Sequence, residues 1–562
     1  MNHKGIPLSP RQRTLKRVRD SFLSRDLKNA LKALEAGNTA LVICDPQTVD
    51  TARHVSKMNA AADIRILTRG DDAMVSTNVY GAANERSVSE FLRGLPTLTL
   101  IVEQSNVFEN ASQIGEALFR LADGGSYHII DKQSLESTDT RSRVLDDVLG
   151  VHAKNSSEWS RLFQDLRADN GRVVVTKQGD HYSQITEDVL SAEFASRNEW
   201  NWAHVVDRVP ARAFESQSSV TMNMPEHAGR FRRRANLPTL RVRRYDDVVC
   251  APHQIVYRDG ILLPETFRQY RQPQPTSGQV RRLTPHYGQP RGRVAPESRL
   301  TGSFYYLDSE HVDIYGHLVT EVVGRLWAWG ELKASIPDVK ALVSSPAGDG
   351  TIPDWFRLTL NAFGIADDDI VVFDRPVQVS ALYSATPLFA NPHIVHPSIT
   401  SIWARVRDAL VAMDKDSAPP LGDKIFVSRR STLSRRCHDE EELLALFESF
   451  DFEIFYPEDW PLPTQARVFS GSRVIAGYGG SGMLNSIYGR AGQTRIVIAP
   501  DTYNAMNEFL IASAFGDPVH YFWGHADIQH PSSGWSASAF KSDFSFDLRH
   551  EGSDLLPLLQ GL

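Results

Sequence analysis

Four arginines fall within eight residues at the end of one apolar run, in Phe426-Val-Ser-Arg-Arg-Ser-Thr-Leu-Ser-Arg-Arg436. Guanidinium forks match phosphate oxygens two at a time and keep their charge, so Arg429, Arg430 and Arg435 are candidates to hold and neutralise a leaving diphosphate. A second apolar run, from Arg473, ends in Gly477-Tyr-Gly-Gly-Ser-Gly482, and a third, Thr494-Arg-Ile-Val-Ile-Ala-Pro500, follows. Strand, glycine turn, helix and strand aim backbone N–H groups at an anion. A phosphate-bearing ligand is therefore expected beside Gly479, Gly480, Ser481 and Gly482. Upstream, Asp308, Glu310, His311, Asp313, His317 and Glu321 crowd one short region. His317 and Glu321 are four apart and share a helix face. His317, oriented by a neighbouring carboxylate, is the first candidate for a general base, and Asp313 the second.

The glycine turn also satisfies G-x-G-x-x-G, with Asp501 beyond the next strand, as a dinucleotide site requires. That pattern leaves open an NAD(P)-dependent oxidoreductase using Gly477–Gly482 and Asp501. Only Met483–Arg490 can be helical before Ala491-Gly492, which is short for the usual crossover helix. A non-catalytic nucleotide-sugar-binding or scaffold protein is the third reading.

These residues need a frame that brings them together. A chain of 562 residues is too long for one core. Its net charge of −7 gives no global signal for nucleic acid. Cys44, Cys250 and Cys437 lie far apart, without the spacing of a disulfide framework or a zinc site, so a reducing, cytoplasmic setting is expected. No apolar run is long enough to span a bilayer. Residues 1–35 read as a basic amphipathic helix, which packs on its own domain or makes peripheral contact with the inner face of a membrane through residues 1–32.

Residues 36–180 alternate strands (Thr39–Cys44, Ile64–Leu67, Thr97–Val102, Tyr127–Ile130) with helical stretches, and so read as a Rossmann-like α/β domain. Residues 181–240 are expected to connect it to the rest. Short buried strands recur at Lys340–Ser344, Ile370–Phe373, Lys424–Val427, Glu453–Phe455, Arg473–Ala476 and Arg495–Ile498. Helical stretches lie near Leu318–Ala334, Asp354–Phe363, Ile402–Met413, Glu440–Phe450 and Gln465–Gly471. Two Rossmann-like lobes, 241–395 and 396–562, are expected, with Pro387–Pro397 as the linker and a cleft at the switch points of both sheets. The arginine-rich stretch from His204 to Arg299 has few interleaved aromatics, and nucleic acid is not expected as a partner.

Two resemblances sharpen this outline. Ala117-Leu-Phe-Arg-Leu-Ala-Asp-Gly-Gly-Ser-Tyr-His-Ile-Ile-Asp131 resembles the late helix–Gly-Gly–strand of class I methyltransferases. The loop after the first strand reads Cys44-Asp-Pro-Gln-Thr, without the glycine such enzymes need near their cofactor, so S-adenosylmethionine is not expected. The second resemblance is to the family 61 glycosyltransferases (the DUF563 group), a GT-B-like family that includes capsular polysaccharide enzymes. Phe426-Val-Ser-Arg-Arg430, Arg435-Arg436, Glu440–Glu442, Tyr456-Pro-Glu458, Gln465 and the turn through Asn485 follow the family's order. Asp313–Trp327 looks like its His-containing helix. The ordered likeness runs over roughly Arg241–Asn507.

The resemblance implies an inverting transfer from a nucleotide-diphosphate sugar to a glycan or lipid-linked acceptor. Gln465 and Asn485 would join the arginines and the glycine turn at the donor, with no further cofactor. No Asp-x-Asp follows a strand (Asp367-Asp-Asp369 precedes one), so a metal-independent mechanism is expected. Two positions depart from the pattern: the family's turn histidine is Gly479, and the asparagine after the arginine run is His438. Homo-oligomerisation is left open.

Overall fold

The computed structural model describes residues 34–103, 111–130, 163–187, 202–268, 276–415 and 422–562, apart from single positions and short breaks inside those ranges. The basic helix expected over residues 1–35 lies almost wholly outside the described residues. The chain forms two compact units. The first takes residues 1–193 with two later excursions, Tyr257–Pro264 and Gly278–Gly292; the second takes the remainder.

The first unit is built on an eight-stranded sheet. Its five central strands, Val79–Ala82, Asp63–Arg69, Thr39–Ile43, Leu98–Glu103 and Leu121–Ile130, are parallel neighbours in that order. The order reverses between Thr39–Ile43 and Leu98–Glu103, the mark of a doubly wound Rossmann-like sheet. Arg172–Lys177 and Phe163–Asp169 extend one edge as an antiparallel hairpin. Leu41, Ile43, Leu67 and Ile101 are buried on one face, with Ala40, Val42, Ile66 and Val102 on the other. Covering both faces is what parallel strands require. The two excursions add short strands around Tyr182–Gln184, which pairs with Ile261–Leu262 and with Tyr287–Pro290. The buried Arg120 fastens the first of them, donating to the carbonyls of Gly260 (2.7 Å) and Asp259 (3.1 Å).

The second unit contains two α/β lobes. In the first, Val377–Ala385, Ser298–Tyr306, Lys340–Ser344 and Ile370–Phe373 are parallel neighbours, and Leu240–Ala251 runs antiparallel beside Val377–Ala385. The sheet of the second lobe is wholly parallel along Val519–Ala526, Thr494–Pro500, Val474–Tyr478, Lys424–Val427 and Glu453–Phe455. Val220–Met222 adds a further parallel strand at its edge. One continuous apolar core joins the lobes, including Trp403 of the helix Ile399–Met413, Leu326, Phe356, Leu484 and Trp523.

Three stretches differ from expectation. Residues 181–240, read as a connector, contribute paired strands at Ala203–Val209, Arg212–Glu215 and Arg234–Leu237. Pro387–Pro397, read as a linker, is folded in: Phe389–Ala390 pairs with Ile394–Val395, all four residues are buried, and the Asn391–Pro392 bond is cis. The helix expected near Leu318–Ala334 is one rod with changing pitch. A turn at Tyr315–His317 widens to π pitch over Leu318–Val322, tightens to 3-10 over Val323–Ala328 and ends as α-helix over Trp329–Ser335. Inside the wide turn the Thr320 hydroxyl donates to the Gly316 carbonyl (2.7 Å), giving the backbone a local alternative to the regular ladder.

Candidate active site

A cavity of about 740 Å³ in the second unit brings together His317, Glu321, Arg435, Gly480 and Ser481. His317 and Glu321 come from the rod of changing pitch, which reaches the glycine turn because residue 316 is glycine. A Cβ there would lie 3.1 Å from both the Ser481 hydroxyl and Leu484. The next residue, His317, is thereby set against the turn.

His317 Nδ1 lies 2.8 Å from Glu321 Oε1. A carboxylate at that nitrogen holds the proton on Nδ1 and leaves Nε2 as the acceptor. Burial would raise the Glu321 carboxyl, but the His317 ring, its hydrogen bond and the charges of Arg268 and Arg325 outweigh it, and the carboxyl is held below its usual range. Ser309 donates to its other oxygen (3.3 Å), and Arg268 Nε lies 3.8 Å from Oε1. The His311 ring packs on His317 with centroids 4.6 Å apart; burial first, and then His317, lower the His311 pKa. Asp313 is exposed and is not among the residues lining the cavity. Asp308 is fully buried and accepts from Ser344 and from the Gln254 backbone, so its work is to tie strand ends together.

The four arginines sort into two pairs. Arg430 and Arg436 turn outward to Asp459 (2.9 Å) and Asp543 (2.8 Å). Arg430, expected at the donor, is thus occupied by a carboxylate and lies over the Tyr456 ring. Arg429 and Arg435 instead close on the glycine turn, and neither forms an ion pair among the described residues. A Cβ on Gly480 would lie 3.0 Å from Arg435 Nη2 and 4.0 Å from Arg429 Nη1. Burial, and then the adjoining Arg435 charge, push the Arg429 pKa down. Arg435 has φ +57°, a left-handed backbone uncommon for a residue with a Cβ, and its Nε is buried with no partner among the described residues. Arg429 Nη2 donates to the Arg435 carbonyl (3.0 Å), and the Arg435 guanidinium lies over the rings of Tyr503 and Phe540.

The glycine turn is only partly the cradle its sequence suggests. The Gly480 N–H is taken by the buried carboxyl of Glu508 (3.0 Å), which also accepts from Tyr503 (3.0 Å). The N–H groups of Ser481 and Gly482 have no partner among the described residues. Gly480 has φ +141°, a conformation that requires glycine. At Gly479 a Cβ would meet the Tyr503 ring at 2.9 Å, so Tyr503 occupies the space where a larger residue would start.

Gln465, Gly482 and Asn485 line a second cavity of about 580 Å³, which shares Ser481 with the first and is walled by Tyr315, Trp355 and Trp460. Asn485 is 1% exposed. Its amide donates to Gln465 (2.9 Å) and its carbonyl accepts from Tyr315; Gln465 donates to the carbonyls of Pro457 and Trp460 (both 2.8 Å). These amides therefore brace the wall between lobes. The Asp501 carboxylate accepts from the Ala526 N–H and from Gln529 and does not line either cavity, so the dinucleotide reading finds no free ribose ligand there. His438 pairs with Asp527 (2.9 Å) at the surface.

The stretch that carries the His-bearing rod, the arginine loop and the glycine turn, in that chain order, falls within a match to a known family. Residues 315–497 match the glycosyltransferase 61 family. The matched segment is about a third of the chain and holds His317, Glu321, both inward arginines and the glycine turn. No curated protein matches the chain. Among solved structures, MycE methyltransferase from the mycinamycin biosynthetic pathway matches in its complex with Mg and SAH, with TM-score 0.23, 14% identity, 32% of this chain and 54% of that chain. Its complex with Mg, SAH and mycinamycin VI gives TM-score 0.22, 14% identity, 29% of this chain and 47% of that chain. The matches thus span about half the length of the MycE chains.

Several cavity residues stand outside the glycosyltransferase 61 segment or carry no motif. Arg268, Tyr503 and Trp535 come from loops, Asn507 opens the helix Asn507–Phe515 and Phe540 ends the helix Ala537–Phe540. Only the aromatic-rich run near Trp535 could have flagged any of them. Among the described residues no group of three or more His, Cys, Asp or Glu is placed to hold a metal, and no helix is long and apolar enough to cross a membrane.

Proposed function

We propose that the second unit is a GT-B-type glycosyltransferase that moves a hexose or pentose from a nucleotide-diphosphate donor to a hydroxyl of a cell-surface or capsular glycan precursor. The observation that carries this reading is the pair Arg429 and Arg435, which close on Gly480 with no ion pair among the described residues; Arg435 and Gly480 line the cavity that also holds His317. Two unpaired, half-buried cations are costly unless an anion joins them. A diphosphate there would meet both guanidinium groups and the N–H groups of Ser481 and Gly482, which have no partner among the described residues. The donor's nucleoside, reaching across Ser481, would lie against Trp355 and Trp460 of the second cavity.

In the transfer, the acceptor oxygen bonds to the anomeric carbon from the face opposite the diphosphate, and the sugar–diphosphate C–O bond breaks. The proton goes to His317 Nε2, and the electron pair leaves on the diphosphate, where the arginines stabilise the developing charge. One base and no covalent intermediate make the transfer inverting, and the arginines do the work a metal would otherwise do. The enzyme would act at the cytoplasmic face of the membrane on a free or lipid-linked acceptor, with residues 1–32 as a peripheral contact and the first unit in assembly or acceptor docking.

The test separates binding from turnover. His317→Ala should leave nucleoside-diphosphate affinity within about twofold and lower transfer by at least about a hundredfold. Near-normal turnover in His317→Ala would remove the histidine from the chemistry.

A further inference from the structure

Trp535 is the most exposed of the large apolar side chains noted at the surface, at 62%, yet it lines the cavity that holds His317 and Arg435. An exposed indole at a cavity mouth is a contact waiting for a partner. We propose that Trp535 is the platform for a pyranose ring of the acceptor glycan, one unit away from the hydroxyl that reacts. This rests on the glycosyltransferase reading and adds to it the acceptor's class and place.

The loop holds the indole ready. The Asp527 N–H donates to the Asp543 carbonyl (2.9 Å) and the Ile528 N–H to Ser542 (2.9 Å). His530 Nε2 donates to the Thr502 carbonyl (3.0 Å), and its Nδ1 accepts the Ser536 N–H (3.2 Å), next to the tryptophan. Ser536 then caps the helix Ala537–Phe540 by accepting from Ala539 (3.2 Å). Gly534, at φ +125°, makes the bend before the ring. The indole packs against Phe540 with centroids 6.0 Å apart, and Phe540 stacks on Tyr503 at 5.5 Å. A ring fixed from behind and open in front loses little entropy on binding.

The chemistry around it suits a sugar. The same cavity presents Asn391, Asn504 and Asn507, and the Asn507 Oδ1 is buried with no partner among the described residues. A flat apolar face bordered by amides matches a pyranose, whose C–H face is apolar and whose edge carries hydroxyls. The donor's anionic part has its own place at Arg429 and Arg435. Trp535 also lies beyond residues 315–497, outside the matched segment.

An array of defined immobilised oligosaccharides, probed with the full-length protein, tests the assignment. Wild type should bind a subset; Trp535→Ala should weaken those signals at least about tenfold, and Trp535→Phe by no more than about threefold. Unchanged melting checks the fold, and UDP, GDP and CDP affinities should be the same in all three proteins. An unchanged array for Trp535→Ala, or no saccharide bound by wild type, overturns the proposal. Weaker nucleotide binding in Trp535→Ala overturns it too and gives the indole to the donor. Failure of the donor reading is separate: it would show as wild type binding no nucleoside diphosphate, whatever the array reads.

Discussion

Arg435 and Arg430 share a sequence neighbourhood and differ in what they face. Arg435 lies on the glycine turn and forms no ion pair among the described residues, whereas Arg430 is engaged by Asp459. Arg435→Ala should weaken nucleoside-diphosphate binding about 10- to 100-fold, and Arg435→Lys should recover only part, because an ammonium keeps the charge but not the fork. Arg430→Ala should change affinity by less than about twofold, since its charge is already matched at the surface. Glu321 makes a pH-dependent contribution of known sign. Its carboxyl is held below the usual range, so the stabilisation is fully present above the ordinary carboxylate pKa and is lost as pH falls through the lowered folded value. Glu321→Gln should therefore melt lower than wild type at neutral pH, and the gap should close below about pH 4. A gap that persists unchanged in acid would mean that Glu321 acts by packing alone.

At the scale of elements, the site depends on two close approaches. Gly480 combines φ +141° with a Cβ position 3.0 Å from Arg435, so Gly480→Ala should cost about 1–3 kcal/mol in stability and most of the nucleotide binding. Gly316→Val should push the His317 rod off Ser481, lowering transfer more than nucleotide affinity, as paired kinetic and calorimetric assays would show. The glycine turn and its flanking strands were legible because alternation of apolar runs and glycines is a local signal. So was the His317–Glu321 pair, whose spacing alone puts both groups on one face. The π-pitched stretch over Leu318–Val322 was not legible, because it goes with a Thr320 hydrogen bond to the Gly316 carbonyl and with tertiary packing against the distant strand Phe389–Ala390. Pro387–Pro397 looked like a linker, yet tertiary burial of Phe389, Ile394 and Val395 folded it in, with Phe389, Ala390, Asn391 and Pro392 lining the cavity. Arg430 was misplaced for a related reason: the acid that binds it lies 29 residues away, beyond any local pattern.

Over the whole molecule, the alternation of strands and helices gave away both α/β units, but not that the first draws in Tyr257–Pro264 and Gly278–Gly292 from the second half of the chain. No periodicity marks a strand that pairs back with the distant Tyr182–Gln184. A chain cut to residues 203–562 should therefore leave Leu262 and Tyr287, now fully buried, without their partner strand Tyr182–Gln184. It should elute as aggregate in size-exclusion chromatography, whereas a soluble monomer of native melting temperature would show those excursions to be dispensable. The account as a whole stands on an anion site built from Arg429, Arg435 and the glycine turn. Titration calorimetry of the full-length protein with UDP, GDP, CDP and NAD tests it most directly. Micromolar binding of at least one nucleoside diphosphate, weakened in Arg435→Ala and preserved in His317→Ala, is the predicted result. Tight binding of NAD with no nucleoside-diphosphate binding would contradict it.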